Sequence, residues 1–295
     1  MGATATSDIA GPGGRTLRIH VAGAPDGPVA LAHHGTPSSG GFYRTELESA
    51  ERLGLRLVAY DRPGYGGSTP NRGRTVADAV GDVAAILDEL GVERFATYGI
   101  SGGGPHALAC AALLPDRCAA AASVVGVGPT DAPDLDFMAG MGEGNIKEFG
   151  AAREGREQLT EYCESEAAEI VSASPEQLVE AFRPHLSDVD AAALTGEFAA
   201  HLLDSVRKAL APGVEGWVDD DYACLAPWGF DPGAIGVPTL VWQGEQDLMV
   251  PPAHGAWLLA HVAGAEGELF PEEGHLTLSL NRLPDVHAWL AGKLG

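Results

Sequence analysis

Ser101 stands among four glycines in YGISGGGPHA, residues 98–107. Such a stretch either cradles a phosphate or clears space around the serine. A phosphate-binding loop of the form G-x-x-x-x-G-K-[ST] needs a lysine to reach the phosphates, and none is near. The dinucleotide fingerprint G-x-G-x-x-G fails as well, because Ser101 occupies the place of its second glycine. What fits is G-x-S-x-G, written Gly99-Ile100-Ser101-Gly102-Gly103. A sharp strand-to-helix turn leaves no room for side chains two residues to either side of the serine it presents.

A serine hydroxyl is a weak nucleophile at neutral pH and needs an adjacent base, itself held by a carboxylate. In the chain order serine, acid, histidine, the candidates are Asp247 in GEQDLMVP and His275 in PEEGHLTL. Glu245, two residues before Asp247, and Asp131 are alternative sources of the carboxylate. The nucleophile also needs backbone N–H groups to hold a developing oxyanion. Gly102 supplies one, and Thr36 in HHGTP is placed to supply the other.

These residues must be brought together by the elements that carry them. From residue 15 to 125, short β-type runs (15–23, 28–34, 55–61, 94–100 and 119–126) alternate with helical patterns at 43–54, 75–91 and 101–115. That rhythm predicts a largely parallel sheet with helices on both faces. It stops near Pro129. Residues 131–230 lack convincing strands, and 146–171, 174–186 and 190–210 have helical spacing. The rhythm then resumes with a strand at 238–244, a helix at 251–264, a strand at 267–270 and a closing helix at 282–294. The expected architecture is therefore an α/β core, residues 1–130 and 231–295, interrupted by an all-helical insertion at 131–230. Ser101, Asp247 and His275 each follow a strand, at the carboxyl edge where open parallel sheets bind ligands.

The chain has 295 residues, 45% of them hydrophobic, enough for a sizeable core. No stretch has the length of apolar sequence needed to span a bilayer, and the first residues hold no apolar leader core, so a soluble, unexported, cytoplasmic protein is expected. Cys110, Cys118, Cys163 and Cys224 form no C-x-x-C pair, which argues for buried free thiols rather than disulfides or a zinc site. A net charge of −23 with no basic cluster argues against nucleic acid or an anionic membrane as a partner. Residues 131–230 hold 21 acidic and 6 basic side chains, net −15. Such an insertion could steer cationic substrates, but Glu154, Glu157, Glu161 and Glu164 are read first as solvated helix faces.

Taken in order, HGTP at 34–37, DRPGYGGS at 61–68, GISGG at 99–103, GEQDLMVP at 244–251 and EGHL at 273–276 resemble the α/β-hydrolase superfamily, specifically serine hydrolases with a helical cap. The resemblance implies Ser101 as nucleophile, His275 as general base and acid, Asp247 as its orienting carboxylate, and Thr36 and Gly102 as oxyanion donors. It implies that 131–230 is a lid over the pocket and that no cofactor or metal is needed. Family members of this layout mostly cleave esters, so a small or medium carboxylic ester or lactone is the expected small-molecule substrate. Carbon–carbon bond hydrolases and cofactor-free perhydrolases keep the same triad. Proline-releasing aminopeptidases usually carry H-G-G-P-G where this chain has HGTPSS. Epoxide hydrolases and haloalkane dehalogenases place aspartate where Ser101 stands. A binding protein that retains the fold is a third class of reading, and oligomeric state is left open. His33, His34, His106, Asp61 and Arg62 are read as packing or loop-shaping residues, and His254 and His261, seven apart with no third ligand, as surface or packing residues rather than metal ligands.

Overall fold

The computed structural model describes residues 4–183 and 186–295. Eight strands form one sheet: β1 (Ala5–Ala10), β2 (Thr16–Gly23), β3 (Val29–His33), β4 (Arg56–Tyr60), β5 (Phe95–Ile100), β6 (Cys118–Val124), β7 (Thr239–Gly244) and β8 (Glu266–Phe270). Their spatial order is β1-β2-β4-β3-β5-β6-β7-β8. The pairs β1·β2 and β2·β4 are antiparallel, and β4·β3·β5·β6·β7·β8 run parallel. Strands β3 and β6 read VALAH and CAAAASV, and every residue in them is buried. Such continuous small and apolar runs are what a parallel strand covered on both faces requires.

Three helices sit in the first half: α1 (Arg44–Leu53), α2 (Ala79–Glu89) and α3 (Gly104–Leu113). Between β6 and β7 come α4 (Glu143–Glu154), α5 (Arg156–Ser172), α6 (Pro175–Phe182), α7 (Asp188–Ala193), α8 (Gly196–Ala209) and α9 (Glu215–Leu225), with no strand among the described residues there. The chain closes with α10 (Pro252–His261) and α11 (His275–Leu294). Val29 and Leu31 of β3 join one core with Val83 of α2, Leu108 of α3 and Leu258 of α10. Ala30 and Ala32 join the opposite core with Ala50 of α1 and Leu278, Val286 and Leu290 of α11. The period-two alternation of β3 thus assigns its side chains to two helical layers.

The structure corrects the sequence reading at several elements. β1 was not anticipated: its exposed, polar sequence ATSDIA has no buried face to announce it. The helical stretch 146–171 is broken at Gly155, whose φ of 144° ends α4 before α5 begins. The stretch 190–210 divides between α7 and α8 around Thr195 and Gly196. The expected helix at 174–186 is α6, and Pro184 and His185 lie outside the described residues. Helix α9, with three consecutive aspartates, was missed. The closing helix begins at His275 rather than at Arg282, and Pro284 lies inside it. A proline near a helix start is favoured because its missing N–H would be unpaired there, and that preference misplaced the boundary.

Candidate active site

β3 and β5 are neighbours in the sheet, with β4 on one side and β6 on the other. The two strands run parallel, but the chain continues from β3 to β4 on one side and from β5 to β6 on the other, so a crevice opens between the diverging connections beyond their carboxyl ends. Ser101 follows β5 directly and has φ 55°, a positive value that few non-glycine residues adopt. The glycines around it are there for space. A Cβ on Gly99 would collide with the backbone carbonyl of Gly103, and one on Gly103 would collide with the carbonyl of His33. Their absence lets the turn fold tightly against β3 and lifts Ser101 out, half buried, at the wall of a cavity of about 780 Å³.

Asp247 lies in the turn after β7 and is buried. Its Oδ1 accepts from the Met249 and Val250 N–H groups, both at 2.8 Å, and its Oδ2 accepts from Gln243 Nε2 at 2.9 Å. The carboxylate is thereby fixed with Oδ2 turned to His275, whose Nδ1 lies 2.7 Å away. His275 is the first residue of α11, after β8. With Nδ1–H donating to Asp247, Nε2 is left as the basic nitrogen. Burial alone would push His275 down, but the Asp247 carboxylate, joined by Asp190, holds it above the ordinary histidine value. Other histidines move the opposite way. His34 and His106 are pushed down to about 3 by burial and by the Arg62 charge, and burial also lowers His33, His201, His254 and His287. Of the three candidate carboxylates, Asp247 is the one in contact with the His275 imidazole, while Glu245 and Asp131 are exposed.

The loop His34–Thr36 rests against the serine turn. A Cβ on Gly35 would sit 3.6 Å from Ser101 Cβ, and one on Gly102 would sit 2.5 Å from Thr36 Oγ1 and 3.7 Å from Thr36 N. Thr36 and Gly102, the two oxyanion candidates, are therefore adjacent, and Thr36 lines the same cavity as Ser101 and His275. The Thr36 side chain points elsewhere: its hydroxyl donates to Asp220 Oδ2 at 2.7 Å and accepts from Arg62 at 3.1 Å.

That contact belongs to a buried ionic network the sequence reading did not find. Asp220 of α9 takes Arg62 at 2.5 Å, Arg74 at 2.7 Å and the Tyr65 hydroxyl at 2.9 Å. Arg62 also donates to the His34 and Gly35 carbonyls, so it braces the loop that carries Thr36. Burial would raise the Asp220 carboxyl, yet the two guanidiniums hold it well below the usual range. A signal was available in WVDDDYA: three consecutive helical residues spread over roughly 200° of arc, so in a helix packed on most of its sides, as α9 is, they cannot all face solvent. Asp61 likewise serves the loop, accepting from the Gly40 and Gly67 N–H groups. His34 receives the Arg62 N–H on Nε2, and His254 takes the Gly128 N–H, as packing and loop-shaping roles require. Glu154, Glu157, Glu161 and Glu164 are exposed. All four cysteines are free and buried. No group of three or more His, Cys, Asp or Glu among the described residues is arranged to hold a metal ion, and no helix among them is long and apolar enough to cross a membrane.

Comparison with known proteins places these features in context. A sequence model of the family described as alpha/beta hydrolase fold matches residues 28–152. Epoxide hydrolase B of Mycobacterium tuberculosis is 38% identical over 120 residues, 38% of this chain, and the chain spans only 33% of that relative's length. A 2-hydroxy-6-oxononadienedioate/2-hydroxy-6-oxononatrienedioate hydrolase of Klebsiella pneumoniae is 26% identical over 269 residues, covering 89% of this chain and 86% of that one. Among solved structures, an enol-lactonase from Burkholderia xenovorans LB400 superimposes with a TM-score of 0.70 at 20% identity over 98% of this chain and 99% of the other, a likeness of fold.

Proposed function

Because the chain belongs to the α/β-hydrolase superfamily, we propose that it is a serine hydrolase that cleaves a small or medium carboxylic ester or lactone through an acyl-enzyme. The observation that carries this reading is the 2.7 Å contact between His275 Nδ1 and Asp247 Oδ2 at the wall of the cavity that Ser101 enters on a strained turn. Ser101 Oγ attacks the carbonyl carbon while its proton passes to His275 Nε2. The oxyanion is held by the Gly102 and Thr36 backbone N–H groups. The carbon–oxygen bond to the alcohol breaks as His275 returns the proton to it. Water, losing a proton to the same nitrogen, then attacks the acyl carbon, and Ser101 regains its hydrogen as the acid leaves. Such a cycle needs neither cofactor nor metal.

The cavity supports an uncharged or cationic substrate. Phe182, Leu186, Leu194, Phe198 and Leu202 give it an apolar wall, and Glu148, Glu166 and Glu169 also line it. Among the described lining residues Lys147 is the sole lysine or arginine, and it is paired with Glu143 at 2.9 Å. The relative from Klebsiella acts on a substrate named as a dicarboxylate, which two cationic partners would ordinarily hold. Its alignment along most of the chain nonetheless favours carbon–carbon cleavage as a second reading. Epoxide opening is not supported, because serine attack on an epoxide yields an ether that the triad has no acyl carbon to release. Turnover of p-nitrophenyl esters of increasing chain length, set against a vinylogous diketone under matched conditions, separates the two readings. Ester cleavage rising from acetyl to medium chains is expected; diketone cleavage alone would replace this proposal with the second.

A further inference from the structure

Helix α11 begins at His275, so the backbone of the base lies in a helix's first turn, where N–H groups have no partner within the helix. Here those groups are taken by one side chain from far away in the sequence. Asp190 Oδ2 accepts from the His275 N–H at 2.8 Å, and Asp190 Oδ1 accepts from the Leu276 and Thr277 N–H groups, both at 2.9 Å. The Gly274 N–H is in turn taken by Thr277 Oγ1 at 2.7 Å. Asp190 is fully buried and sits in α7, among the helices inserted between β6 and β7. The fit depends on Gly274, because a Cβ there would drive into the Asp190 carboxylate. Around the junction, Leu186 and Leu194, which flank Asp190 in sequence, pack with Leu276 and Met249.

We propose that Asp190 is a positioning residue for His275: the inserted helices supply the carboxylate that fixes the first turn of α11, so the base is in register with Ser101 and Asp247 only while α7 is docked. An anion is favoured at a helix N-terminus, and three charge-assisted hydrogen bonds from consecutive amides fix the turn's position and its direction. The groups acting on the imidazole are then Asp247 from the turn after β7 and Asp190 from α7. The first turn of α11 carries no acid of its own. Separation of α7 would cost the base both its backbone anchor and one of the two charges that favour its protonated form.

The inference rests on His275 being the base, and the test keeps the two apart by following the imidazole itself. The titration of His275 is measured by proton NMR, with the rate of fluorophosphonate labelling read alongside, in wild type, Asp190→Asn, Asp190→Ala and Gly274→Ala. The expected result is a lower His275 midpoint in all three variants. Labelling at the alkaline plateau should fall roughly tenfold or more in Asp190→Ala and Gly274→Ala and less in Asp190→Asn, which keeps one acceptor oxygen. If Asp190→Ala does not fold, the near-isosteric Asp190→Asn carries the test through its midpoint. Folded Asp190→Asn whose midpoint and labelling rate both match wild type overturns the proposal. A shifted midpoint in a protein that labels nowhere, even as wild type, would leave this linkage standing and remove the hydrolase reading instead.

Discussion

At the scale of single residues, His275 combines two observations that bear on pH. Its Nδ1 is held by Asp247, and its titration is raised above the ordinary value of 6.5 despite burial, which acts the other way. Only the neutral imidazole can accept the Ser101 proton. Ester kcat/KM is therefore predicted to rise with pH through a midpoint above 6.5, where an unassisted buried histidine would titrate below it. Replacing Asp247 by Asn should move that midpoint down and reduce kcat on the order of 10³- to 10⁴-fold, because the imidazole loses both its charge partner and its tautomer. A pH–rate profile of the two proteins checks both statements. The sequence pointed to the places where these residues lie, since each falls in a short, glycine-flanked segment after a strand. The choice of Asp247 over Glu245 and Asp131 was not legible there, because it depends on a distance.

At the scale of elements, the serine turn explains its own glycines. Gly99 and Gly103 each have backbone in the space a Cβ would fill, and backbone cannot step aside as a flexible side chain can. Gly103→Ala is predicted to part β5 from the end of β3, at a cost of about 1–3 kcal/mol. Its denaturation midpoint should fall, and labelling of Ser101 should fall with it. An unchanged midpoint would mean that the turn has slack the geometry does not show. The parallel strands were readable because each is a short apolar run bounded by turn residues, and β3 and β6 are buried along their whole length. β1 and the true start of α11 were not. The first lacks a buried face, and the second is set by Asp190, which stands 85 residues before His275 in the chain.

At the scale of the whole molecule, the inserted helices are joined to the core by charges. Asp220 meets Arg62 and Arg74 where all three side chains are at most 3% exposed. Removing one partner of a buried pair strands the others, so Asp220→Ala is predicted to cost about 3–5 kcal/mol, read as a loss of stability in urea. The pH dependence follows from sign. The Asp220 carboxyl is held below its unfolded value, so its contribution is present above that value and is lost as pH falls through the folded one. Wild type should lose this stability in acid, and Asp220→Ala should show a shallower acid limb. Of the 21 acids at 131–230, then, Asp190, Asp219, Asp220 and Asp221 are buried rather than solvated. Composition gave the charge of the insertion but not this inward set, because a buried aspartate is identified by a partner that the fold alone brings near.

The central claim is that Ser101 is the nucleophile, and intact-mass analysis of wild type and Ser101→Ala after exposure to a fluorophosphonate tests it most directly. The account predicts a single adduct on wild type and none on Ser101→Ala, with both proteins unfolding at the same temperature and ester turnover falling in parallel. An adduct that persists on Ser101→Ala, or folded wild type that takes none while cleaving esters, would contradict it.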